Sequence, residues 1–413
     1  MASKNDNENY DNVIRLTGNE ELAAENRRRR LEKSRNKTRM IIGSLVVVVL
    51  LISVYFVYSR LRQFKGYKTI SSATIVYETD ANYIQFGGNL LKFTTDGASY
   101  IDEEGNTVWT AGIDAKNPIA ESNGRYAVVA DKGGNNVYVF NTGGLVSQVT
   151  MKYKITDIDV ASQGAFTAVL ESDETNYINM YSSSGQAIYE MRTSINKSGY
   201  PLDISISDDG QKLFTSYFYM NGINTNIKLT AYNFGEVGQN ANADRMVGGF
   251  TYESELFPKV EFVTNDIIAA FSDKEIVFYD MKEKPSERAK VKYKNDVQSI
   301  FYNSNYVGTV EKNNTATASS SAYYTMRLYD LNGNEKFEYP FDLNYEKIYA
   351  SDEEIIFTGD NQCLIVTNKG RTKFRYSFDS RVKNMIPSTG KNKYVVTFED
   401  RTETIELTSK DEH

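Results

Sequence analysis

From about residue 70 to residue 407, apolar side chains come in short runs separated by polar clusters rich in Gly, Asn, Asp and Ser. Runs of three to six residues bounded in this way read as strands. They come in pairs: 90–93 with 99–101, 126–130 with 137–140, 166–170 with 177–181, and 213–218 with 227–232. The series continues with 267–271 and 276–279, 306–310 and 326–331, 355–357 and 363–366, and 394–398 and 404–407. The second member of each pair recurs eight times, about 37 to 50 residues apart. One segment breaks the pattern. Residues 40–58 hold no charged side chain and read as a continuous apolar helix. At about 1.5 Å per residue such a helix spans roughly 28 Å, close to a hydrocarbon core.

Two turn motifs punctuate the strands. In the first, a short polar residue opens a turn, Gly closes it, and an aromatic residue follows four positions on. Asp102 leads to Gly105 and Trp109, Ser182 to Gly185 and Tyr189, Asp330 to Gly333 and Phe337, and Thr367 to Gly370 and Phe374. The polar side chain starts a type I turn and Gly supplies the positive φ that closes the hairpin. The aromatic residue then falls on the next strand, facing one neighbouring sheet. The second motif is Asp-Ile-x-[Val/Ile]-[Ala/Ser]-x-x-Gly, at Asp157–Gly164 and again at Asp203–Gly210, with a partial copy at Ile119–Gly124.

Four strands per repeat of this length predict an all-β fold, a β-propeller, with eight blades fitting the count and seven the alternative. The last unit ends after its third strand. The missing fourth strand is expected from residues 69–77, ahead of the first unit, which closes the ring and leaves no exposed edge. The expected organisation is a tail over 1–39, a single transmembrane α-helix over 40–59, a linker over 60–68 and the propeller over 69–409.

Charge orients the helix. Before it, Arg27, Arg28, Arg29, Arg30, Lys33, Arg35, Lys37 and Arg39 face one acid, Glu32. After it come Arg60, Arg62, Lys65 and Lys68 within ten residues. The positive-inside rule then keeps residues 1–39, largely disordered, in the cytoplasm and exports the propeller. The anchor is expected from Met40, Ile41, Val46, Val48 and Leu51, with Tyr55, Phe56 and Tyr58 at the interface. A cleaved signal peptide fits less well, because the apolar run is long and has no Ala-x-Ala-like exit. Residues 60–413 carry 37 basic and 47 acidic groups, which argues against nucleic acid.

Composition excludes several chemistries. The one His is the C-terminal residue, His413, and Cys363 is the one Cys. No Ser-His-Asp or Cys-His system, Cys/His zinc site or intrachain disulfide can be built from them. Cys363 lies in an alternating strand and reads as a buried structural thiol.

The turn-Gly-x-x-x-aromatic unit resembles the repeats of quinoprotein-like, PQQ-repeat eight-bladed propellers, with Asp102, Gly105 and Trp109 matching best, and the resemblance implies that these residues dock each blade on the next. Gly185 with Tyr189, Gly333 with Phe337, and Gly370 with Phe374 carry other aromatics where that family has Trp. The full layout is similar to an uncharacterised bacterial envelope family, a domain of unknown function with one N-terminal helix and an exported propeller. That resemblance implies no catalytic residues, no cofactor and no metal. Quinoprotein chemistry needs a quinone, an ion and, in many members, a vicinal disulfide that one Cys cannot form.

The function read from the sequence is therefore a non-catalytic scaffold or adaptor in the cell envelope, tethered to the lipid bilayer. It presents a loop-rich face to an envelope protein or cell-wall polymer. Enlarged connections are expected at 171–176, 219–226 and 311–323, with a long inter-blade segment at 236–255. The alternative is a carboxylate-dependent glycan hydrolase, which needs neither His nor Cys. Asp157 and Asp203, at equivalent places on adjacent inner strands, are its candidate pair; otherwise each caps a turn.

Overall fold

The computed structural model describes residues 22–31, 33, 40–53, 63–74, 81–173, 175–193, 198–221, 224–241, 243–313 and 322–409. The chain divides into two units, residues 1–62 and 63–413.

In the first unit, residues 22–31 are helical, where a tail without regular structure was the expectation. Leu22, Ala23, Ala24, Glu25 and the arginines are strong helix formers, and Arg29 pairs with Glu25 one turn away at 2.8 Å. Residues 40–53 are also helical and carry Met40, Ile41, Val46, Val48 and Leu51, all exposed. Among the described residues no helix is long and apolar enough to cross a membrane. Tyr55, Phe56 and Tyr58, and Arg35, Lys37 and Arg39, lie outside the described residues.

The second unit forms eight antiparallel sheets of four strands each. The first strand of one sheet packs beside the first strand of the next, which makes it the innermost strand of a propeller blade. In chain order the inner strands are Asn82–Phe86, Pro118–Asn123, Lys154–Val160, Tyr200–Ile206, Lys259–Thr264, Val297–Asn303, Lys347–Ala350 and Val382–Pro387. Their blades are numbered 1 to 8 below.

Blade 8 is completed from the other end of the chain. Gly66–Thr74 pairs antiparallel with Arg401–Thr408, from Gly66 opposite Thr408 to Thr74 opposite Arg401. The closing strand thus starts three residues earlier than the pattern suggested. Phe64, just ahead of it, is buried between blades 7 and 8, and its amide donates to the Lys373 carbonyl at 2.9 Å. A second clasp joins blade 8 to blade 1. The Glu103 carboxylate accepts from the Ser388 hydroxyl at 2.8 Å and the Thr389 amide at 2.9 Å. Burial alone would push the Glu103 pKa up, yet these hydrogen bonds hold it below its ordinary value.

The four turns singled out in the sequence share one hydrogen-bond pattern. The glycine amide donates to the carbonyl three residues back: Gly105 to Asp102, Gly185 to Ser182, Gly333 to Asp330 and Gly370 to Thr367. The opening side chain accepts from the amide four residues on, as Asp102 does from Asn106 at 2.7 Å and Asp330 from Asn334 at 3.0 Å. Gly370 shows why glycine is required. Its φ is +73°, and a Cβ there would lie 2.8 Å from the Phe337 ring of the preceding blade.

The core lies between blades, in clusters that each draw on neighbouring sheets. Cys363 sits in one of these, fully buried and unpaired, and burial pushes its thiol pKa up.

Candidate functional site

The inner strands line the central channel, and its two sides differ. On the side of blades 2 to 6 stand Glu121, Asp157, Asp159, Asp203 and Glu261, with the ammonium of Lys259 among them. The Lys259 Nζ is 3.5 Å from Asp203 and 3.3 Å from Glu261, and the Tyr302 hydroxyl donates to Glu261 at 3.1 Å.

The three aspartates reach across to the backbone of the next blade. Asp159 of blade 3 accepts the amide of Ile206 in blade 4 at 2.7 Å, and its other oxygen accepts the Val160 amide at 2.8 Å. Asp203 of blade 4 accepts the amide of Val260 in blade 5 at 2.7 Å, and Ser205 accepts that of Phe262 at 3.0 Å. The Ile158 and Ile204 amides act on Asp157 in the same sense. Adjacent inner strands in a propeller have no backbone ladder between them, so side-chain acceptors satisfy amides that would otherwise face the interior alone. Neither Asp157 nor Asp203 caps a turn. Both lie within inner strands, each just after a register shift in its pairing with the second strand, which helps aim them at the next blade.

Crowding shifts these groups. Burial, then the nearby Glu261, pushes Asp159 up to about 7 against the pull of Lys259 and its two amides. Glu121 is exposed to the channel but enclosed by its walls. That enclosure and Asp159 push it up to about 8. Burial also raises Asp157, and raises Asp203 well above the usual carboxylate range despite Lys259. Burial disfavours the Lys259 charge, but Glu261, Tyr302 and Asp203 outweigh it and raise its pKa. Among the described residues no cluster of three or more acidic, His or Cys side chains is arranged to hold a metal ion.

The opposite side, formed by blades 7, 8 and 1, holds a cavity of about 290 Å³. Tyr83, Ile348, Met385 and Ile386 supply much of its apolar lining, and Gln85, Asn384, Thr358 and Lys347 its polar groups. The Tyr349 hydroxyl donates to Gln85 at 2.7 Å, tying blade 7 to blade 1 across the channel.

The connections on the faces depart in part from expectation. Each blade's outer strand starts on the face of the first-to-second and third-to-fourth turns, so the chain enters the propeller on that face, at Gly66. The second-to-third connections and the links between blades lie on the opposite face. The expected loop at 219–226 is instead two strands running to Asn221 and from Asn224, a tight hairpin. The segment 236–255 is not between blades. It holds a short helix, Glu236–Ala241, and the outer strand of blade 4, Met246–Glu253. That strand was hidden by Gly248 and Gly249, and a Cβ on Gly249 would lie 2.5 Å from the Leu229 carbonyl oxygen. The connection within 171–176 is short, closed by the Ser172 amide donating to the Thr175 carbonyl at 2.9 Å. At 311–323, Asn313 ties the base together through the Tyr323 and Ala322 carbonyls, while residues 314–321 lie outside the described residues.

The aromatics after the turns lie between blades. Trp109 stacks on Tyr100 of its own blade and Phe140 of blade 2, and its indole N–H donates to the Thr142 carbonyl at 3.1 Å. Tyr189 meets Phe234 of blade 4 with centroids 5.0 Å apart. Phe337 lies against Gly370 of blade 7, and Phe374 is fully buried among residues of blade 8. Gly105, Gly185 and Gly333 each face the outer strand of the preceding blade: Ala73, Val149 and Ala289 are the nearest neighbours of an added Cβ.

A model of a family of unknown function, DUF5711, matches residues 60–407. No curated protein matches the chain. Among solved structures the chain is similar to BamB from Moraxella catarrhalis, with 11% identity over 83% of this chain and 100% of that one and a TM-score of 0.50. It is also similar to the WD40 domain of Pan2 from Neurospora crassa, with 10% identity over 83% and 96% of the two chains and a TM-score of 0.42. At 11% identity the likeness to BamB is one of fold.

Proposed function

We propose that this chain, which belongs to the DUF5711 family of unknown function, is a membrane-anchored, extracytoplasmic and non-catalytic binding module of the bacterial cell envelope. Residues 40–59 span the bilayer, residues 1–39 stay in the cytoplasm, and the propeller holds an envelope protein on the face opposite its point of entry.

One observation carries the reading. Three large apolar side chains stand exposed on that face, in three consecutive blades. Met220 is at the hairpin of blade 4 and 53% exposed, Leu256 is in the link from blade 4 to blade 5 and 43% exposed, and Tyr323 is in the connection of blade 6 and 61% exposed. Large apolar side chains exposed on the connections of a rigid scaffold suit a protein surface. The test is photocrosslinking in intact cells from a benzoylphenylalanine at position 220 or 323, with position 336 on the outer edge as control. A discrete adduct from 220 and 323 that Leu256→Asp removes is the expected result. Adducts from all three positions alike, or from none, would overturn it.

A second reading, the carboxylate-dependent glycan hydrolase, is favoured by the two carboxyls poised near neutrality, Asp159 and Glu121. Against it, both Asp159 oxygens are engaged by backbone amides. Release of reducing ends from purified cell-wall glycan by the intact protein, lost in Glu121→Gln, would establish the hydrolase instead.

A further inference from the structure

We propose that the cavity between the inner strands of blades 7, 8 and 1 is a binding site for a small amphipathic organic anion, its acidic head on Lys347 and its apolar body against the Ile/Met/Tyr wall. This goes beyond the partner face proposed above, which lies on the connections rather than in the channel.

The chemistry of the lining is one-sided. No carboxylate lines the cavity, and one full positive charge does. The neighbouring acids are committed elsewhere: Glu346 to Arg381 at 2.6 Å and Glu399 to Lys383 at 3.1 Å. Lys347 has no ion pair or hydrogen bond among the described residues, so its ammonium depends on channel water. Lys347 is exposed to the channel but enclosed by its walls, and that enclosure, then the like charge of Lys383, holds its pKa below the ordinary lysine value. An anion bound beside it would relieve both effects.

The neutral polar groups fit the same ligand. The Gln85 carbonyl oxygen already accepts from Tyr349, which leaves the amide NH₂ of Gln85 to donate. The Asn384 amide and the Thr358 hydroxyl stand in the same lining. Two amides and a hydroxyl beside an ammonium form a donor set for carboxylate, sulfonate or phosphate oxygens. Ile348, Ile356, Met385 and Ile386 then offer an apolar wall that a free inorganic anion would leave wet. The volume of about 290 Å³ lies at the small end of ligand pockets, roughly 300 Å³ and up, which selects a small molecule over a folded partner.

The opposite wall explains the preference of sign. Its ammonium, Lys259, is already paired with Asp203 and Glu261, so that wall has no uncommitted cation to offer an anion, whereas Lys347 on the other wall is free to take one.

The probes are 4-phenylbutyrate and its neutral counterpart 4-phenylbutanamide, titrated calorimetrically into the full chain in lipid nanodiscs. Wild type should bind the acid about ten-fold or more tighter than the amide, the scale of one charge-assisted hydrogen bond. Lys347→Met should bring the acid to the amide's affinity and leave the amide unchanged, while Lys347→Arg should keep the preference. Equal melting temperatures of the three proteins exclude a folding effect. No saturable binding of 4-phenylbutyrate to wild type, equal affinity for the two probes, or a preference that survives Lys347→Met would each overturn the proposal.

Discussion

The two walls of the channel meet the same structural problem in different ways. Inner strands of adjacent blades lie side by side without a ladder between them. On the side of blades 3, 4 and 5, Asp159, Asp203 and Ser205 bridge the gap by accepting amides of the next blade. On the side of blades 7, 8 and 1, a space of about 290 Å³ remains. That is also where the chain's two ends meet and the ring closes. On the first wall Asp159, Asp203 and Lys259 are committed to structure. On the second wall Lys347 is uncommitted, and uncommitted charge beside apolar surface is what a ligand can use.

The largest test of the contrast removes the closure. Without Gly66–Thr74, the strand Arg401–Thr408 loses its partner and Phe64 its seat. The backbone hydrogen bonds of a ladder of eight residue pairs, at about 0.5–1.5 kcal/mol each, with the apolar packing, are a large share of a typical total of roughly 5–15 kcal/mol. A soluble chain starting at residue 81 should aggregate, or melt many degrees below one starting at residue 60, in a thermal unfolding scan.

Next comes the carboxylate wall. Asp159→Ala leaves two amides without their acceptor, at about 1–3 kcal/mol for each buried donor. Asp203→Ala frees the Val260 amide and removes one of the carboxylates beside Lys259. Both variants should fall well below wild type in denaturant midpoint with an unchanged m-value. Lys347→Met, on the other wall, should equal wild type or exceed it, since it removes a charge whose pKa burial already depresses.

A smaller effect is expected from pH. Asp159 and Glu121 have folded-state pKa values of about 7 and about 8, above those of an unfolded chain. Between pH 4 and pH 8 the folded protein therefore holds more protons at these sites than the unfolded chain does, and their contribution to stability falls as pH rises. The melting temperature should climb as pH is lowered from 8 to 5.5. Asp159→Asn with Glu121→Gln should flatten that slope. Lowered groups such as Glu103 and Asp330 act in the opposite sense, with their contribution lost only as pH falls through their depressed values.

Much of the fold was legible because propeller turns are local. Asp102, Ser182, Asp330 and Thr367 fix their turns with side chains three residues from the glycine, so spacing alone revealed them. The third strands and the closing strand followed from periodicity. The outer strand Met246–Glu253 did not, because its glycines answer to neighbours brought close only by folding, the Leu229 carbonyl and the Pro285 ring. The bridging carboxylates were half legible. The repeat at Asp157 and Asp203 stood out, yet its role depends on the amides of residues 204 and 260, which sequence distance conceals. Blade 5 continues the set with Lys259-Val260-Glu261-Phe262, which lacks the Asp and so gave no signal. The cavity gave none either, since it is framed by three strands from opposite ends of the chain.

The claim that the acid wall is structural is tested most directly by amide hydrogen exchange at Ile206 and Val260 in the intact propeller. The account predicts that both amides are protected in wild type, that Asp159→Ala releases Ile206 and leaves Val260 protected, and that Asp203→Ala releases Val260. Fast exchange of both amides in wild type, or protection that survives loss of the carboxylate, would contradict it and leave these carboxylates free for chemistry.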